Sequence, residues 1–135
     1  MDYIEIKGYK SIKEQKVDFR NINILIGSNG SGKSNFISFF EFLNQLYNRN
    51  LQEYISLRGG EDKILFEGKD VTDQIYFKVE FNGGVNGYSA TLKVGEESLI
   101  FTDEKLIYNK DGGRSINGYS PEARIKTTDN YEYSF

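Results

Sequence analysis

Residues 27–34 constrain this chain more than any other segment, because their glycines and their Lys-Ser pair follow one fixed spacing. They are Gly-Ser-Asn-Gly-Ser-Gly-Lys-Ser, which matches the pattern G-x-x-x-x-G-K-[ST] of the phosphate-binding loop, or Walker A motif. Glycine permits backbone conformations that turn successive N–H groups toward one point, and those groups attract a phosphate chain. The pattern arises by chance about once in 10⁴ to 10⁵ positions. It therefore indicates a nucleotide site rather than an ordinary glycine-rich turn.

The residues on both sides of the motif have the patterns that a phosphate-binding loop requires. Residues 22–26 are apolar at every position but one, which is typical of a strand buried on both faces. From Ser34 to about Asn48 apolar side chains recur at helical spacing, which predicts an amphipathic helix. We expect Lys33 to reach the β- and γ-phosphates and the Ser34 hydroxyl to ligate Mg²⁺. The aromatic residues of this helix are predicted to pack in the core: Phe36, Phe39, Phe40 and Phe42.

The rest of the chain is predicted to be mostly strand. Residues 3–7 and 16–19 have the pattern of two short strands, and residues 51–57 that of a short second helix. Residues 64–108 alternate apolar and polar side chains between glycine-rich turns, which predicts an antiparallel meander. Residues 114–135 are polar and weakly patterned. We therefore expect an α/β fold in one lobe, with a nucleotide-binding core in residues 1–60 and the meander with a polar tail in residues 61–135.

Composition excludes several kinds of chemistry. The chain has 135 residues, no Cys and no His, so it has no disulfide framework, thiolate metal site, Cys nucleophile or imidazole base. Its net charge of −3 argues against a generally basic nucleic-acid-coating protein, although residues 1–60 carry 8 basic and 6 acidic side chains. No apolar stretch approaches the length of a membrane span, and the N-terminus lacks the pattern of a signal peptide. These features predict a cytoplasmic protein that does not enter a membrane.

Three segments together resemble the ABC-type ATPases of the RecF/SMC kind, a group that includes the OLD-like and AAA-family predicted bacterial ATPases. Residues 27–35 are similar to their Walker A, and residues 3–12 to their opening strand and turn, with Gly8-Tyr9 where Asn-Phe is common. Residues 57–66 are similar to the segment that leads into their antiparallel sheet. The resemblance covers about residues 1–81. It implies an N-terminal lobe of a P-loop NTPase in which the parallel core is incomplete.

The resemblance also implies roles for individual residues. The triphosphate and Mg²⁺ would be wrapped by the Walker A segment: Asn29, Gly30, Ser31, Gly32, Lys33, Ser34 and Asn35. Lys10 and Ser11 match a turn that touches the nucleotide in similar proteins, or else they form a solvated turn. Arg58 stands where similar proteins carry an arginine that contacts DNA or the nucleotide, or else it is a surface arginine beside a Gly-Gly turn.

Two motifs that such ATPases need are not evident. A Walker B strand has four apolar residues before Asp-Glu, in which the Asp orders Mg²⁺ and the Glu acts on the attacking water. The nearest match, residues 99–104, is interrupted by Thr102, and we expect it to be a meander strand with Asp103 and Glu104 facing solvent. No signature motif is recognisable. The resemblance therefore implies a lobe that binds ATP but hydrolyses it poorly without a missing C-terminal half or a second copy.

The missing partner strands have a physical consequence. A central strand such as residues 22–26 is an association site when no strand pairs with it, so we expect the isolated chain to dimerise, exchange segments or be marginally stable. Only the resemblance implies that the full protein acts on DNA.

Other classes remain open. The loop could be the switch of a non-catalytic, nucleotide-responsive interaction module whose partner surface is the meander. A GTPase is disfavoured because no Asp-x-x-Gly occurs and residues 109–112, Asn-Lys-Asp-Gly, have the Asp one position early. A kinase is disfavoured because no lid or acceptor site is recognisable.

Overall fold

The structure is a computed structural model that describes residues 1–19, 33–96, 98–108, 113–116 and 118–125. Six strands and three helices make up the regular structure of this part of the chain. In chain order the elements are β1 (Tyr3–Tyr9), β2 (Ile12–Asp18), α1 (Lys33–Tyr47), α2 (Leu51–Leu57), α3 (Glu61–Ile64), β3 (Gln74–Phe81), a 3-10 turn (Asn82–Gly84), β4 (Asn86–Val94), β5 (Leu99–Ile107) and β6 (Arg114–Ile116).

All six strands belong to one sheet with the order β2-β1-β3-β4-β5-β6, and every neighbouring pair is antiparallel. The hairpin β1–β2 therefore adds to the meander β3–β6 through the pairing of β1 with β3, in which Ile6 lies opposite Phe77. This confirms an α/β fold with an antiparallel meander. The expected parallel core rests on residues 22–26, which lie outside the described residues.

The two faces of the sheet differ because side chains alternate along each strand. One face carries Ile6, Phe77 and Ala90, which are fully buried beneath the helices; we call it the covered face. The opposite face carries Lys7, Tyr76 and ion pairs such as Lys78–Glu80, at 3.1 Å; we call it the open face. The apolar sides of β1, β3 and β4 thus lie on the covered face.

Helix α1 packs on the covered face through aromatic rings. The ring centroids of Phe39 and Phe42 lie 5.5 Å and 6.3 Å from that of Phe77, at steep interplanar angles. Edge-to-face arrangements of this kind are favourable beyond the area that they bury. The prediction of core packing is confirmed for Phe36, Phe39 and Phe42, but it is wrong for Phe40, which is 38% exposed on the outer side of α1.

The segment between α2 and β3 differs from the prediction. The meander was expected from residue 64, but residues 61–64 form α3 and the strand β3 begins at Gln74. Residues 114–135 are polar and weakly patterned in the sequence, yet Ala123 and Ile125 are buried. In the described part of the chain, no helix is long and apolar enough to span a membrane.

Candidate functional site

Helix α1 begins inside the predicted Walker A motif. Lys33 is its first residue, and the Ser34 side chain is exposed in its first turn. The first N–H groups of any helix lack partners within the helix, so this end of α1 can donate to phosphate oxygens. The predicted contacts of Asn29, Gly30, Ser31 and Gly32 fall on residues outside those that the structure describes.

The turn between β1 and β2 lies directly against this end of α1. Asn35 Nδ2 donates to Ser11 Oγ at 2.8 Å, and Lys10 Nζ donates to Ser38 Oγ at 3.3 Å. Ser38 Oγ gives its single proton to the Asn35 carbonyl at 2.9 Å, so the Tyr9 hydroxyl, 3.0 Å away, is the donor in their hydrogen bond. The structure thus brings Lys10 and Ser11 next to Asn35, although they are 24 residues or more apart in the sequence.

This turn has its shape because backbone groups hold it from two sides. The Lys10 N–H donates to the Ile64 carbonyl at 2.7 Å, and the Phe66 N–H donates to the Gly8 carbonyl at 2.9 Å. Gly8 has a φ of 80°, and a Cβ atom there would collide with the Gln74 carbonyl oxygen. Glycine is therefore required at position 8 of this chain.

Arg58 lies at the C-terminal end of α2, beside helix α1. Its guanidinium forms an ion pair with Glu41 of α1 at 3.0 Å and lies 5.2 Å from the centroid of the Tyr54 ring. Lys10 is close enough to Arg58 for their charges to interact. We call these four residues, Lys10, Glu41, Tyr54 and Arg58, the Arg58 cluster. It holds two cations and one carboxylate, so it carries a net positive charge beside α1.

Burial changes the proton affinities of the groups in this region. The pKa of Lys10 is lowered, first by partial burial and then by the Arg58 charge, while Glu41 opposes the change. Burial also raises the pKa of Tyr9 and of Tyr54, so both phenols stay protonated and can donate. The Tyr54 hydroxyl is buried, and its proximity to the Tyr9 hydroxyl partly offsets the rise in the Tyr54 pKa.

The Walker B look-alike does not join this site. Asp103 lies opposite Thr91, in line across the sheet with Tyr76 and Lys7, so it is on the open face. Helix α1 and Ser34 lie on the covered face. The sheet therefore separates Asp103 from the end of α1 at which Mg²⁺ is expected.

Glu104 corrects an expectation, because it does not face solvent. The register of β4 with β5 shifts between Thr91 and Leu92, where β5 has one extra residue. The alternation along β5 is therefore offset by one position, and Glu104 turns to the covered face opposite Ala90. Glu104 is 3% exposed, accepts a hydrogen bond from the Tyr88 hydroxyl at 2.6 Å and one from the Arg124 N–H at 3.1 Å. Burial raises its pKa, although these two donors oppose the change.

Sequence reasoning missed several residues of this region. Ser38 and Glu41 follow Ser34 at intervals of four and three residues, so helical spacing alone could have placed them on one side of α1 with the motif. The pairing of Glu41 with Arg58 and the hydrogen bond from Tyr9 to Ser38 left no signal in the sequence, because they join separate elements. Within the described ranges, no group of three or more acidic residues could hold a metal ion by itself.

Comparison with protein-family models places most of the chain in one family. A family model described as AAA ATPase domain matches residues 1–128, which is nearly the whole chain. No curated protein matches the chain.

Proposed function

Because the chain belongs to the AAA ATPase domain family, we propose that it is the ATP–Mg²⁺-binding lobe of an ABC-type ATPase of the RecF/SMC-like kind. Family membership supports nucleotide binding in an ATPase, and the finer assignment rests on the sequence motifs. One structural observation supports it most: α1 begins at Lys33 of the Walker A motif, and the turn of Lys10 and Ser11 is hydrogen-bonded to its first turns. Two segments with nucleotide motifs are thus adjacent.

The residues at this end of α1 fit the chemistry of a triphosphate. The exposed Ser34 hydroxyl can serve as one ligand of Mg²⁺, an ion that usually takes few protein ligands and completes its coordination with phosphate oxygens and water. Bound Mg²⁺ would neutralise phosphate charge. Lys33 would contact the β- and γ-phosphates, and residues 29–35 would supply backbone N–H donors. Lys10, Ser11 and Arg58 would add charge and hydrogen bonds at the edge of the nucleotide.

Hydrolysis requires a carboxylate beside the nucleotide, and among the described residues neither acid of the Walker B look-alike provides it. Asp103 lies on the open face, and Glu104 is buried with its oxygens engaged by Tyr88 and Arg124. The proposed lobe therefore binds ATP but turns it over slowly until another copy or a further polypeptide segment supplies the Walker B and signature residues. Self-association, action on DNA through the full protein and a cytoplasmic location belong to the same proposal.

The alternative is a nucleotide-responsive interaction module without catalysis. The separation of Asp103 from α1 favours it. The open face does not favour it, because an exposed apolar surface on the meander would support a partner site, whereas this face of the meander carries the ion pair of Lys78 with Glu80.

Calorimetry with ATP and Mg²⁺, combined with phosphate release from the same samples, tests the proposal. Lys33→Ala should weaken ATP binding roughly 10- to 100-fold, because a hydrogen bond to a charged group contributes about 1.5–3 kcal/mol. Lys13→Ala is the matched control, since Lys13 is an exposed lysine on β2 and its removal changes the net charge equally.

Lys33-dependent binding with little phosphate release would support the incomplete lobe. Lys33-dependent turnover would show that a catalytic carboxylate is already present, with Asp103 and Glu104 as the first residues to replace. Equal ATP binding by wild type, Lys33→Ala and Lys13→Ala would contradict the proposed site.

A further inference from the structure

The segment of residues 118–125 crosses from the sheet to α2, and we call it the strap. Its first anchor is on β5, where Ser120 and Phe101 exchange two backbone hydrogen bonds of 2.7 and 3.1 Å. Its second anchor is Glu104, whose two carboxylate oxygens accept the Arg124 N–H at 3.1 and 3.2 Å. Ala123 is fully buried and Ile125 is nearly so. The strap is therefore fixed to the covered face by both backbone and side-chain contacts.

The strap also caps α2. Glu122 accepts the N–H of Leu51 and the N–H of Gln52, each at 3.0 Å, with one carboxylate oxygen for each. Asn50, the residue in the N-cap position, makes no side-chain cap hydrogen bond. A carboxylate at this end of a helix satisfies free N–H groups and interacts favourably with the helix dipole. Glu122 thus supplies from about 70 residues away what a local cap residue normally supplies.

A second contact fastens the same end of α2. Gln52 Nε2 donates to the Leu99 carbonyl at 2.7 Å and to the Pro121 carbonyl at 2.6 Å. The turn that presents Glu122 is closed by Ser120 Oγ, which donates to the Glu122 carbonyl at 2.6 Å. The first turn of α2 is therefore held by the strap and by the start of β5 together.

The other end of α2 carries Arg58. The Arg58 N–H donates to the carbonyls of Tyr54 and Ile55, and the Gly60 N–H donates to the Ile55 carbonyl at 2.9 Å. A helix of seven residues is about 10 Å long and is not stable by itself. Because one such short helix joins Glu122 to Arg58, loss of order at its first turn will reach its last turn.

We propose that the strap positions Arg58 through α2, so that Glu122 acts on the Arg58 cluster without touching it. Glu122 is then a positioning residue, and the strap and the Arg58 cluster are two coupled sites. The effect on nucleotide affinity rests on the proposed function, whereas the effect on α2 does not.

Hydrogen exchange measures the effect on α2 directly. Glu122→Ala should speed exchange of the α2 amides about 5- to 30-fold, the size expected for loss of a helix cap. The increase should include the amides of Arg58 and Gly60, while the amides of β3 stay protected and so report an intact fold. Glu122→Gln, which keeps one acceptor oxygen, should give a smaller increase.

Glu53→Gln is the matched control, because Glu53 is an exposed acid in the first turn of α2 and makes no cap. Glu53→Gln removes the same charge near the helix dipole but no cap hydrogen bond. It should therefore leave the exchange rate of the Arg58 amide nearly unchanged. Faster exchange at Leu51 and Gln52 alone would overturn the proposal, because the cap would then act only locally. Equal acceleration by Glu53→Gln would overturn it as well.

A double-mutant cycle on ATP affinity tests whether the strap acts through Arg58. Glu122→Ala should weaken ATP binding about 5-fold or more, at the lower end of typical coupling between two sites. The same substitution should have little effect in an Arg58→Ala background, because its target is then gone. A full Glu122→Ala effect in the Arg58→Ala background would contradict the proposal. If wild type binds no ATP, the proposed function fails, and exchange at Arg58 still decides the role of the strap.

Discussion

The two faces of the sheet differ most clearly at two adjacent carboxylates. Asp103 is exposed on the open face, whereas Glu104 is 3% exposed on the covered face. In the sequence they form one Asp-Glu pair that resembles a Walker B end. In the structure they have separate surroundings, because successive strand residues point to opposite faces and the register shift in β4–β5 makes Glu104, not Asp103, the inward one. A motif within a strand therefore has meaning only once its face is known.

In the part of the chain that the structure describes, the contacts that link the proposed nucleotide site to the sheet lie on the covered face. Helix α1, the Arg58 cluster and the strap all lie there, and Glu104 fastens the strap to β5. The open face carries surface ion pairs. Substitutions on the two faces should accordingly change the free energy of unfolding by different amounts, and these changes should depend differently on pH and salt.

The largest difference between the faces should appear at two neighbouring aromatic residues of β3. Phe77 contacts the rings of Phe39, Phe42 and Tyr88, so Phe77→Ala should lower the free energy of unfolding by about 3–5 kcal/mol. Tyr76→Ala on the open face should cost about 1 kcal/mol. Denaturant unfolding of both variants measures these costs. Similar losses would contradict the assignment of the faces.

A smaller effect, visible in its pH dependence, is expected at Glu104. Burial raises its pKa in the folded state, so its proton binds more tightly there than in the unfolded chain. Stability from this group is therefore present below the ordinary Glu pKa of about 4.3 and is lost as pH rises through the raised pKa. Glu104→Gln cannot titrate, so the free energy of unfolding of wild type relative to it should fall across that window.

The groups that face Glu104 provide a control for this pH profile. The Tyr88 hydroxyl and Arg124 lower the Glu104 pKa, while Asp103 raises it. Tyr88→Phe removes one donor to the carboxylate, so the loss of stability should move to higher pH. Parallel pH profiles for wild type and Glu104→Gln would show that Glu104 does not titrate as the buried group that the structure describes.

The smallest effect is expected on the open face. Lys7 Nζ lies 3.4 Å from Glu5 and 3.9 Å from Glu14, and its side chain is 45% exposed. Lys7→Ala should lower the free energy of unfolding by less than about 1 kcal/mol, and salt should reduce the difference. Thermal unfolding at low and high salt measures both. A loss as large as that of Phe77→Ala would mean that this face is also part of the core.

Local patterns predicted the elements whose periodicity is strong. Helix α2 has the predicted bounds, and the alternation of Ile75, Phe77 and Val79 correctly indicated β3. What they could not predict depends on contacts between distant segments. The pairing of β1 with β3 joins residues more than 60 positions apart. The register shift beside Thr91 could not be predicted either, because no turn residue marks its position in the sequence.

The candidate site was predictable only where a motif carries it. Residues 27–34 predict a phosphate site by their spacing, and the resemblance suggested roles for Lys10, Ser11 and Arg58, all of which remain predictions. The strap was missed because Glu122 is a single acid in a polar stretch, and its role follows only from its position beside Leu51 and Gln52. A cap supplied from a distant segment has no sequence signature, unlike a local cap.

Hydrogen exchange with and without ATP–Mg²⁺, on wild type and Lys33→Ala, shows whether ATP binds at the start of α1. The first N–H groups of α1 lack helical partners, so bound phosphate should slow exchange at residues 33–36 and at the turn of Lys10 and Ser11. We expect this slowing in wild type and its absence in Lys33→Ala. No slowing in wild type, or equal slowing in both proteins, would show that ATP does not bind at the start of α1.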